Sequence, residues 1–270
     1  MKTSSGVVEV NGARLYYEEA GSGPALVLVH AGICDHRMWD TQLGPFAEHY
    51  RTIRYDARGF GRSSNTPGKF NLGLDLAGLL GALEIENAAI VGVSMGSMAA
   101  LDFALEQPAM VSALVLVGGG VGGGQASAEA VARGEEIEAA QEAGDLDLAN
   151  ELELRMWVDG WDQPLGRADP GMRAAVAQMN RAILEREPET ADMDHQGLTP
   201  PAIERLAEVS APTLVVIGDV DIPYLRERAE KMAREIPGAH LEVIADAAHV
   251  PNMEHPAQFN RMVLEFLAGA

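Results

Sequence analysis

A serine stands at the centre of a G-x-S-x-G pentapeptide, residues 92 to 96, between a short apolar run and an alanine-rich segment of helical pattern. This pattern predicts a sharp strand-to-helix turn that exposes the side chain of Ser94 at the end of a strand. Glycines two residues before and after the serine leave room for such a strained turn. The first amides of the following helix have no partner within the helix, so they can stabilise an anion beside the serine. The pentapeptide therefore predicts a nucleophilic serine.

Two loops near the C-terminal end of the chain carry the acidic and basic groups that a nucleophilic serine needs. The apolar run from Thr213 to Ile217 predicts a buried strand, and Asp219 and Asp221 follow it. His249 lies among small residues just after another short predicted strand. A serine hydroxyl is a weak nucleophile at neutral pH, so an imidazole must take its proton and a carboxylate must orient the ring.

Two further segments have the residue types and the order of a known family. The apolar run that begins at Leu26 ends in His-Ala-Gly at residues 30 to 32, and residues 56 to 63 read D-A-R-G-F-G-R-S. Together with the pentapeptide and the two C-terminal loops, these segments resemble the α/β-hydrolase superfamily over residues 13 to 268. In detail, the chain is similar to small bacterial serine esterases and to hydrolases of the 3-oxoadipate enol-lactonase type.

The resemblance implies a role for each catalytic group. Ser94 is expected to be the nucleophile and His249 the general base. The family's G-x-x-D pattern puts the triad acid at Asp221. Asp219 is the alternative acid, and otherwise it is expected to form hydrogen bonds within its loop.

The oxyanion hole is expected to consist of two backbone amides. The resemblance places one donor at Gly32, with Ile33 as the alternative, and the other at Met95, directly after the nucleophile. Ala31 stands where the family usually has glycine, which alters the loop without removing a backbone donor. His30 is expected to be structural, and the D-x-R-G-x-G-x-S stretch is expected to shape a turn.

The order of apolar and helical stretches predicts an α/β fold. An opening hairpin that turns at Asn11-Gly12 is followed by apolar runs that alternate with helical stretches, which is typical of a mostly parallel sheet flanked by helices. After Val117 the pattern becomes helical, with no strand-like run, which indicates a helical cap insertion. The predicted units are an α/β-hydrolase core of residues 1–120 and 200–270, resuming with a helix near 201–207, and a cap of residues 121–199.

The predicted cap determines which substrate fits. Its apolar side chains include Met156, Trp157 and Trp161, which with Ile33 are the candidate substrate-binding residues. The alternative is that these side chains only pack the cap onto the core.

The cap region is strongly acidic. Residues 125 to 195 contain 17 acidic and 6 basic residues, a net charge of -11, which is expected to form a solvated surface. Acidic residues near a pocket disfavour anionic substrates, unless Arg155, Arg173 or Arg181 faces inward.

The whole chain is acidic too, and this narrows the expected partners. A formal net charge of -20 argues against nucleic acid and anionic membrane surfaces as partners. The expected partner is a small-molecule ester or lactone, and the expected assembly is a monomer or a homodimer. Cys34 is the single cysteine, and neither a signal segment nor a membrane span is evident, so a cytoplasmic location is expected.

Neither a metal-ligand spacing nor a dinucleotide motif occurs, so no metal or cofactor is expected. The glycines at 118–120 and 122–124 lack the order of a phosphate loop, and they are expected to form a flexible exit from a strand. Cys34 is expected to be a small buried residue rather than a nucleophile. The histidines expected at the surface are His36, His49, His195, His240 and His255.

The function predicted from these observations is cleavage of a carboxylic ester or lactone through an acyl-enzyme on Ser94. One alternative is a C–C bond hydrolase of the meta-cleavage type, which usually has an arginine in the acid loop and a tryptophan after the catalytic histidine. This chain has Val220 between its two acids and Val250 after the histidine, which lowers that alternative without excluding it. The other alternative is a non-catalytic ligand-binding homologue with the same fold.

Overall fold

The computed structural model describes residues 3–270, apart from the side chains at positions 187 and 188. The strands are β1 (Thr3–Val10), β2 (Ala13–Ala20), β3 (Ala25–Val29), β4 (Arg51–Tyr55), β5 (Gly68–Phe70), β6 (Ala88–Val93), β7 (Val111–Val117), β8 (Met193–His195), β9 (Thr213–Gly218) and β10 (His240–Ile244). The helices are α1 (Asp40–Ala47), α2 (Leu72–Ala82), α3 (Met95–Glu106), α4 (Ala128–Glu142), α5 (Leu146–Trp157), α6 (Pro170–Thr190), α7 (Pro223–Glu235), α8 (Pro251–Glu254) and α9 (Pro256–Gly269).

Eight strands form one sheet in the order β1-β2-β4-β3-β6-β7-β9-β10. The hairpin of β1 and β2 and the pair of β2 and β4 are antiparallel, whereas all other neighbours in this sheet are parallel. The hairpin turns at Asn11-Gly12, as predicted, and both residues have positive φ. The mostly parallel sheet flanked by helices agrees with the predicted fold class.

The parallel order of the sheet determines where the functional side chains lie. Strands β6 and β9 are buried along their whole length because helices cover both faces of the sheet. Their carboxyl ends lie at the same edge of the sheet, where ligands bind in open α/β sheets. Ser94 directly follows β6, and Asp219 and Asp221 directly follow β9. Segments far apart in sequence therefore meet at one edge.

The chain between β7 and β9 contains the helices α4, α5 and α6, here called the helical insertion. It occupies the position predicted for the cap. Two details differ from the prediction. The three-residue strand β8 pairs with β5, and two short 3-10 turns, Ala202–Glu204 and Leu206–Glu208, replace the helix expected near 201–207. Three residues are too few for strand periodicity to show in a sequence. In the 3-10 turns the amides donate to carbonyls three residues back, as Arg205 does to Ala202, and this closes short turns instead of an α-helix.

Residues 1 and 2 of the predicted core lie outside the described residues. Within residues 3–270, no helix combines the length and the apolar character needed to cross a bilayer.

The D-x-R-G-x-G-x-S stretch after β4 holds a turn together, as predicted. The carboxylate of Asp56 accepts hydrogen bonds from the backbone amides of His36 and Arg62, both at 2.8 Å. The guanidinium of Arg58 binds both carboxylate oxygens of Asp75 on α2 at 2.8 Å, and it also donates to the carbonyl of Asn11. This loop thus ties the hairpin to α2 through a buried ion pair.

The prediction that His36 lies at the surface is wrong. Its side chain is buried and its Nδ1 lies 2.7 Å from Asp56 Oδ1. The cause is a partner distant in sequence, because Asp56 also accepts the backbone amide of His36 and so holds this residue against the loop after β4. The 63° edge contact with the ring of Tyr16 completes its packing.

The buried pair of Arg58 and Asp75 gives a stability prediction. Replacing Asp75 by alanine leaves the guanidinium of Arg58 buried without its counter-charge, so we expect the free energy of unfolding to fall by about 3–5 kcal/mol. The control is Lys231→Ala, which removes an exposed pair with Glu235 and is expected to cost less than about 1 kcal/mol. Urea unfolding followed by circular dichroism measures both variants, and equal losses would contradict a central role for the buried pair.

Candidate active site

The turn at Ser94 has the geometry of an exposed nucleophile. Strand β6 ends at Val93 and α3 begins at Met95, so Ser94 alone makes the turn, with φ 55° and ψ -110°. A non-glycine residue rarely adopts such a conformation, and strain of this kind concentrates at functional sites. The amide of Ser94 donates to the carbonyl of Val117 at 2.8 Å, which fixes the turn against the end of β7.

The two glycines of the pentapeptide are required by close contacts. A Cβ atom on Gly92 would lie 2.2 Å from the carbonyl oxygen of Gly96, and a Cβ on Gly96 would lie 2.2 Å from that of Val29. Either contact is far inside van der Waals distance. Only glycine therefore lets α3 start so close to β6 and β3.

His249 and Asp221 form a buried pair. His249 Nδ1 lies 2.9 Å from Asp221 Oδ2 and 3.2 Å from Oδ1, and the two residues are 2% and 3% exposed. Asp221 Oδ1 also accepts the amide of Ile222 at 2.7 Å, which orients the carboxylate. A carboxylate at Nδ1 favours the proton on that nitrogen and leaves a lone pair on Nε2. His249 Nε2 is buried and has no hydrogen-bond partner in the described part of the chain.

Asp219, the alternative acid, is not in contact with His249. Its backbone amide donates to the carbonyl of Ile244 at 3.1 Å, but its buried Oδ1 has no hydrogen-bond partner among the described residues. Asp221 is therefore the acid that the geometry favours.

The three glycines after β7 lie against both Ser94 and His249. A Cβ on Gly120 would lie 2.0 Å from the carbonyl oxygen of Ser94, and one on Gly118 would lie 3.0 Å from His249 Cε1. The serine turn and the imidazole thus contact the same three-residue segment. The prediction of a flexible strand exit is wrong at these residues, because close backbone contacts hold them in place and leave no space for a side chain.

The two predicted oxyanion donors lie next to each other. A Cβ on Gly32 would lie 3.8 Å from Met95 Cβ. Met95 is the first residue of α3, so its amide has no acceptor within the helix. Gly32 is half-buried, and its amide is in no backbone hydrogen bond to another described residue. Both amides are thus available to an anion near Ser94, whereas the side chain of Ile33 is buried in the core.

Of the four candidate substrate-binding residues, Trp157 is the one in contact with His249. Its ring centroid lies 4.6 Å from that of His249, with 41° between the planes, and its carbonyl accepts the amide of His249 at 3.2 Å. Trp157 is half-buried at the end of α5. The helical insertion therefore contacts the candidate base through both a side chain and the backbone.

The candidates Met156 and Trp161 have contacts within the insertion or with the acid loop instead. Met156 is buried and lines a cavity of about 250 Å³ within the insertion, with Ile137 and Leu152 among its other walls. The amide of Trp161 donates to the carbonyl of Val220 at 2.9 Å, and the guanidinium of Arg133 lies 3.7 Å from its ring centroid. Trp161 thus joins the insertion to the acid loop.

Sequence reasoning missed Arg167, which connects the insertion to the histidine loop. Its guanidinium donates to the carbonyls of Val158 and Asp246 and forms an ion pair with Glu254 at 2.5 Å. Glu254 in turn accepts the amide of Ala248 at 2.7 Å, directly before His249. Burial raises the pKa of Glu254, although the neighbouring Arg167 opposes the rise. The only sequence signal was a single arginine in an otherwise acidic segment.

Three other polar groups near the site have structural explanations. The imidazole of His30 is fully buried, accepts the amide of Ala57 at 3.0 Å and has a lowered pKa because of its burial. Burial raises the pKa of the Cys34 thiol, which keeps the thiol protonated. Asp35, His36 and Asp56 lie close enough together to bind a metal ion, but both oxygens of Asp35 bind Arg37 and Asp56 already accepts three hydrogen bonds.

The known proteins to which this chain is similar include several hydrolases. Residues 26–262 match the model of the alpha/beta hydrolase family. A 2-hydroxy-6-oxononadienedioate/2-hydroxy-6-oxononatrienedioate hydrolase from Comamonas testosteroni is 29% identical over 94% of this chain and 91% of its own length. The 3-oxoadipate enol-lactonase 1 of Acinetobacter baylyi is 30% identical over 96% of this chain and 92% of its own length. The structure of a thermophilic esterase from Thermogutta terrifontis is 26% identical, with a TM-score of 0.77, and covers 100% of this chain and 99% of that one.

The contrast between the two acids can be tested directly. Asp221→Asn keeps the shape of the side chain but donates to Nδ1 and so forces the wrong tautomer, and we expect the rate of p-nitrophenyl acetate hydrolysis to fall by about 10⁴-fold. The matched control is Asp219→Asn, which does not contact His249 and is expected to change the rate less than about tenfold. A larger loss in Asp219→Asn than in Asp221→Asn would assign the acid to residue 219.

Proposed function

Because the chain belongs to the alpha/beta hydrolase family, we propose that it is a serine hydrolase that cleaves an uncharged carboxylic ester or lactone through an acyl-enzyme on Ser94. The observation that carries this proposal is the buried pair of His249 and Asp221, in which Nε2 has no partner among the described residues and the ring contacts the segment that also contacts Ser94. The similarity to an enol-lactonase and to an esterase supports the same class of substrate.

The proposed reaction follows from the roles of the groups. His249 Nε2 takes the proton of the Ser94 hydroxyl as the oxygen attacks the acyl carbon, and Asp221 stabilises the imidazolium that forms. The carbonyl oxygen becomes an oxyanion, which the amides of Gly32 and Met95 stabilise. Each such donor typically contributes about 3 kcal/mol.

Acylation is complete when the imidazolium gives its proton to the leaving alkoxide and the C–O bond breaks. A water molecule then attacks the acyl-enzyme, with His249 again as the base, and the acid product leaves Ser94 free. For a lactone, the alcohol and the acid remain one molecule. No step of this sequence requires a redox cofactor.

The electrostatics of the helical insertion support an uncharged substrate. The three arginines that could have faced an anionic group are all bound by carboxylates of the insertion itself. Arg155 pairs with Glu151, Arg173 with Asp159 and Glu151, and Arg181 with Asp147 and Glu185. A substrate carboxylate would therefore meet an acidic surface without a free arginine from this set.

A C–C bond hydrolase is the second candidate, because a relative is named as a hydrolase of dienedioates. Val250 follows His249 here, but the indole of Trp157 reaches the imidazole from the insertion instead. Such a substrate is dianionic, and it needs a cation. Arg228 on α7 is the residue to consider, since its guanidinium stacks on the ring of Tyr224 at 4.7 Å and has no carboxylate partner among the described residues.

Covalent labelling distinguishes an enzyme from a ligand-binding homologue. We expect a fluorophosphonate probe to label the wild-type chain and Ser97→Ala, but not Ser94→Ala, because the strained turn at Ser94 contacts the same segment, residues 118–120, as the ring of the candidate base. Ser97 is a matched control, since it is on the same helix and its hydroxyl donates to the carbonyl of Gly120. The readout is in-gel fluorescence with the mass of the labelled peptide. A folded wild-type chain that is not labelled would favour the ligand-binding alternative.

A substrate pair tests the charge preference. A γ-lactone with a primary amide side group and the same lactone with a free carboxylate have nearly the same shape and differ mainly in charge. We expect kcat/KM to be at least about tenfold higher for the neutral compound, because an anion approaches an acidic surface.

Faster turnover of the anionic lactone would contradict the proposed substrate class, and cleavage of a vinylogous diketone in preference to both lactones would favour the second candidate. In either case the variant Arg228→Met tests whether Arg228 binds the substrate carboxylate, because it removes the guanidinium and keeps much of the apolar part of the side chain.

A further inference from the structure

A cavity of about 300 Å³ lies apart from the candidate active site. Its walls come from the start of α2, the second half of α3 and residues 196–199, the segment by which the chain leaves the helical insertion. The walls include the apolar side chains of Leu74, Phe103 and Leu198 and the carboxylates of Asp102 and Glu106. No lysine, arginine or histidine is among the lining residues.

Asp102 is the unusual residue of this cavity. It is 2% exposed, and its buried Oδ1 has no hydrogen-bond partner in the described part of the chain. Backbone encloses the side chain, because a Cβ on Gly73 would lie 3.3 Å from Asp102 Cβ and one on Gly122 would lie 3.7 Å from Oδ1. A buried carboxylate is normally paired or hydrogen-bonded, since taking a charge out of water without a partner is costly.

The neighbouring charges do not neutralise Asp102. Arg205 is close enough to act on it but donates to Glu106 and to Glu208, at 2.7 Å and 2.9 Å. Burial raises the pKa of Asp102 to about 6, and Glu106 adds to the rise while Arg205 opposes it. At neutral pH the carboxylate is therefore mostly ionised, its Oδ1 has no donor, and no described residue forms an ion pair with it.

We propose that this cavity is a binding site for a small alkylammonium group, with the ammonium on Asp102 and the alkyl chain against Leu74, Phe103 and Leu198. An ammonium supplies both the positive charge and up to three hydrogen-bond donors to a carboxylate. The volume lies at the small end of the range for ligand pockets, about 300–1,000 Å³, so it suits a ligand of few heavy atoms.

A metal ion fits this cavity less well. Asp35, His36 and Asp56 are the one group of three potential ligands close enough together within the described residues, and Asp102 is not among them. Calcium and magnesium ions need about six oxygen ligands, most of which Asp102 and its paired neighbour Glu106 cannot supply.

The site is independent of the proposed function. Asp102 lies eight residues after Ser94 on α3, roughly 12 Å along the helix axis at 1.5 Å per residue. A ligand there contacts both α3, the helix that begins directly after Ser94, and the segment that leaves the insertion.

Calorimetric titration with n-butylammonium and n-butanol tests the proposal. We expect saturable binding of n-butylammonium at pH 7 and at least tenfold weaker binding of n-butanol, which has a similar shape without the charge. Asp102→Asn is expected to weaken n-butylammonium binding at least tenfold. The matched control is Asp219→Asn, which changes another carboxylate with an unpartnered oxygen, outside the cavity, and is expected to leave the affinity unchanged.

The pH dependence of n-butylammonium binding is a second test, and it needs no variant. With the pKa of Asp102 at about 6, the ionised fraction rises about tenfold between pH 5 and pH 7, and the affinity for n-butylammonium is expected to rise by the same factor. Chemical-shift changes on titration of the wild-type chain are expected at Phe103 and Leu198. Equal affinity for n-butanol, no saturable binding at millimolar concentration, or shifts confined to another surface would each overturn the proposal.

Discussion

Close backbone contact at the edge of the sheet is the constraint on which the rest of this structure depends. The start of α3 touches the end of β3 at Gly96, and the segment after β7 touches the carbonyl of Ser94 at Gly120. At the acid loop, a Cβ on Gly218 would lie 2.0 Å from the carbonyl oxygen of Ala247. Each contact has no space for a side chain. Main-chain packing therefore holds the serine turn and the His249 ring against the same segment, residues 118–120, and it holds the acid loop against the loop that leads to His249.

This constraint explains how much of the molecule the sequence could predict. The fold and the family are confirmed, because buried parallel strands are continuous apolar runs and tight turns require glycine at fixed positions. The pairing of His249 with Asp221 follows from the same logic, since both loops leave adjacent parallel strands. The glycines at 118–120 show where prediction from sequence stops. A run of glycines indicates either a flexible backbone or close packing against another part of the chain, and the sequence does not show whether such a neighbour is present.

Contacts between side chains distant in sequence could not be predicted. His36 lies in a polar segment, yet its ring is buried against Asp56, because burial depended on the partner and not on the residue's own neighbours. Arg167 is a similar case, since its five oxygen partners come from three separate segments. Hydrophobic periodicity describes which face of an element is apolar. It contains no information about which distant carboxylate or carbonyl a guanidinium will reach.

Trp157 shows how the helical insertion can act on chemistry as well as on substrate choice. Its carbonyl holds the amide of His249, its indole packs on the imidazole, and Arg167 fixes the same end of the insertion to Glu254 and to the loop before His249. A displacement of α5 away from the sheet would therefore remove a wall of the candidate pocket and two contacts of the candidate base in the same movement. The position of the insertion and the orientation of the His249 ring are thus coupled through Trp157 and Arg167.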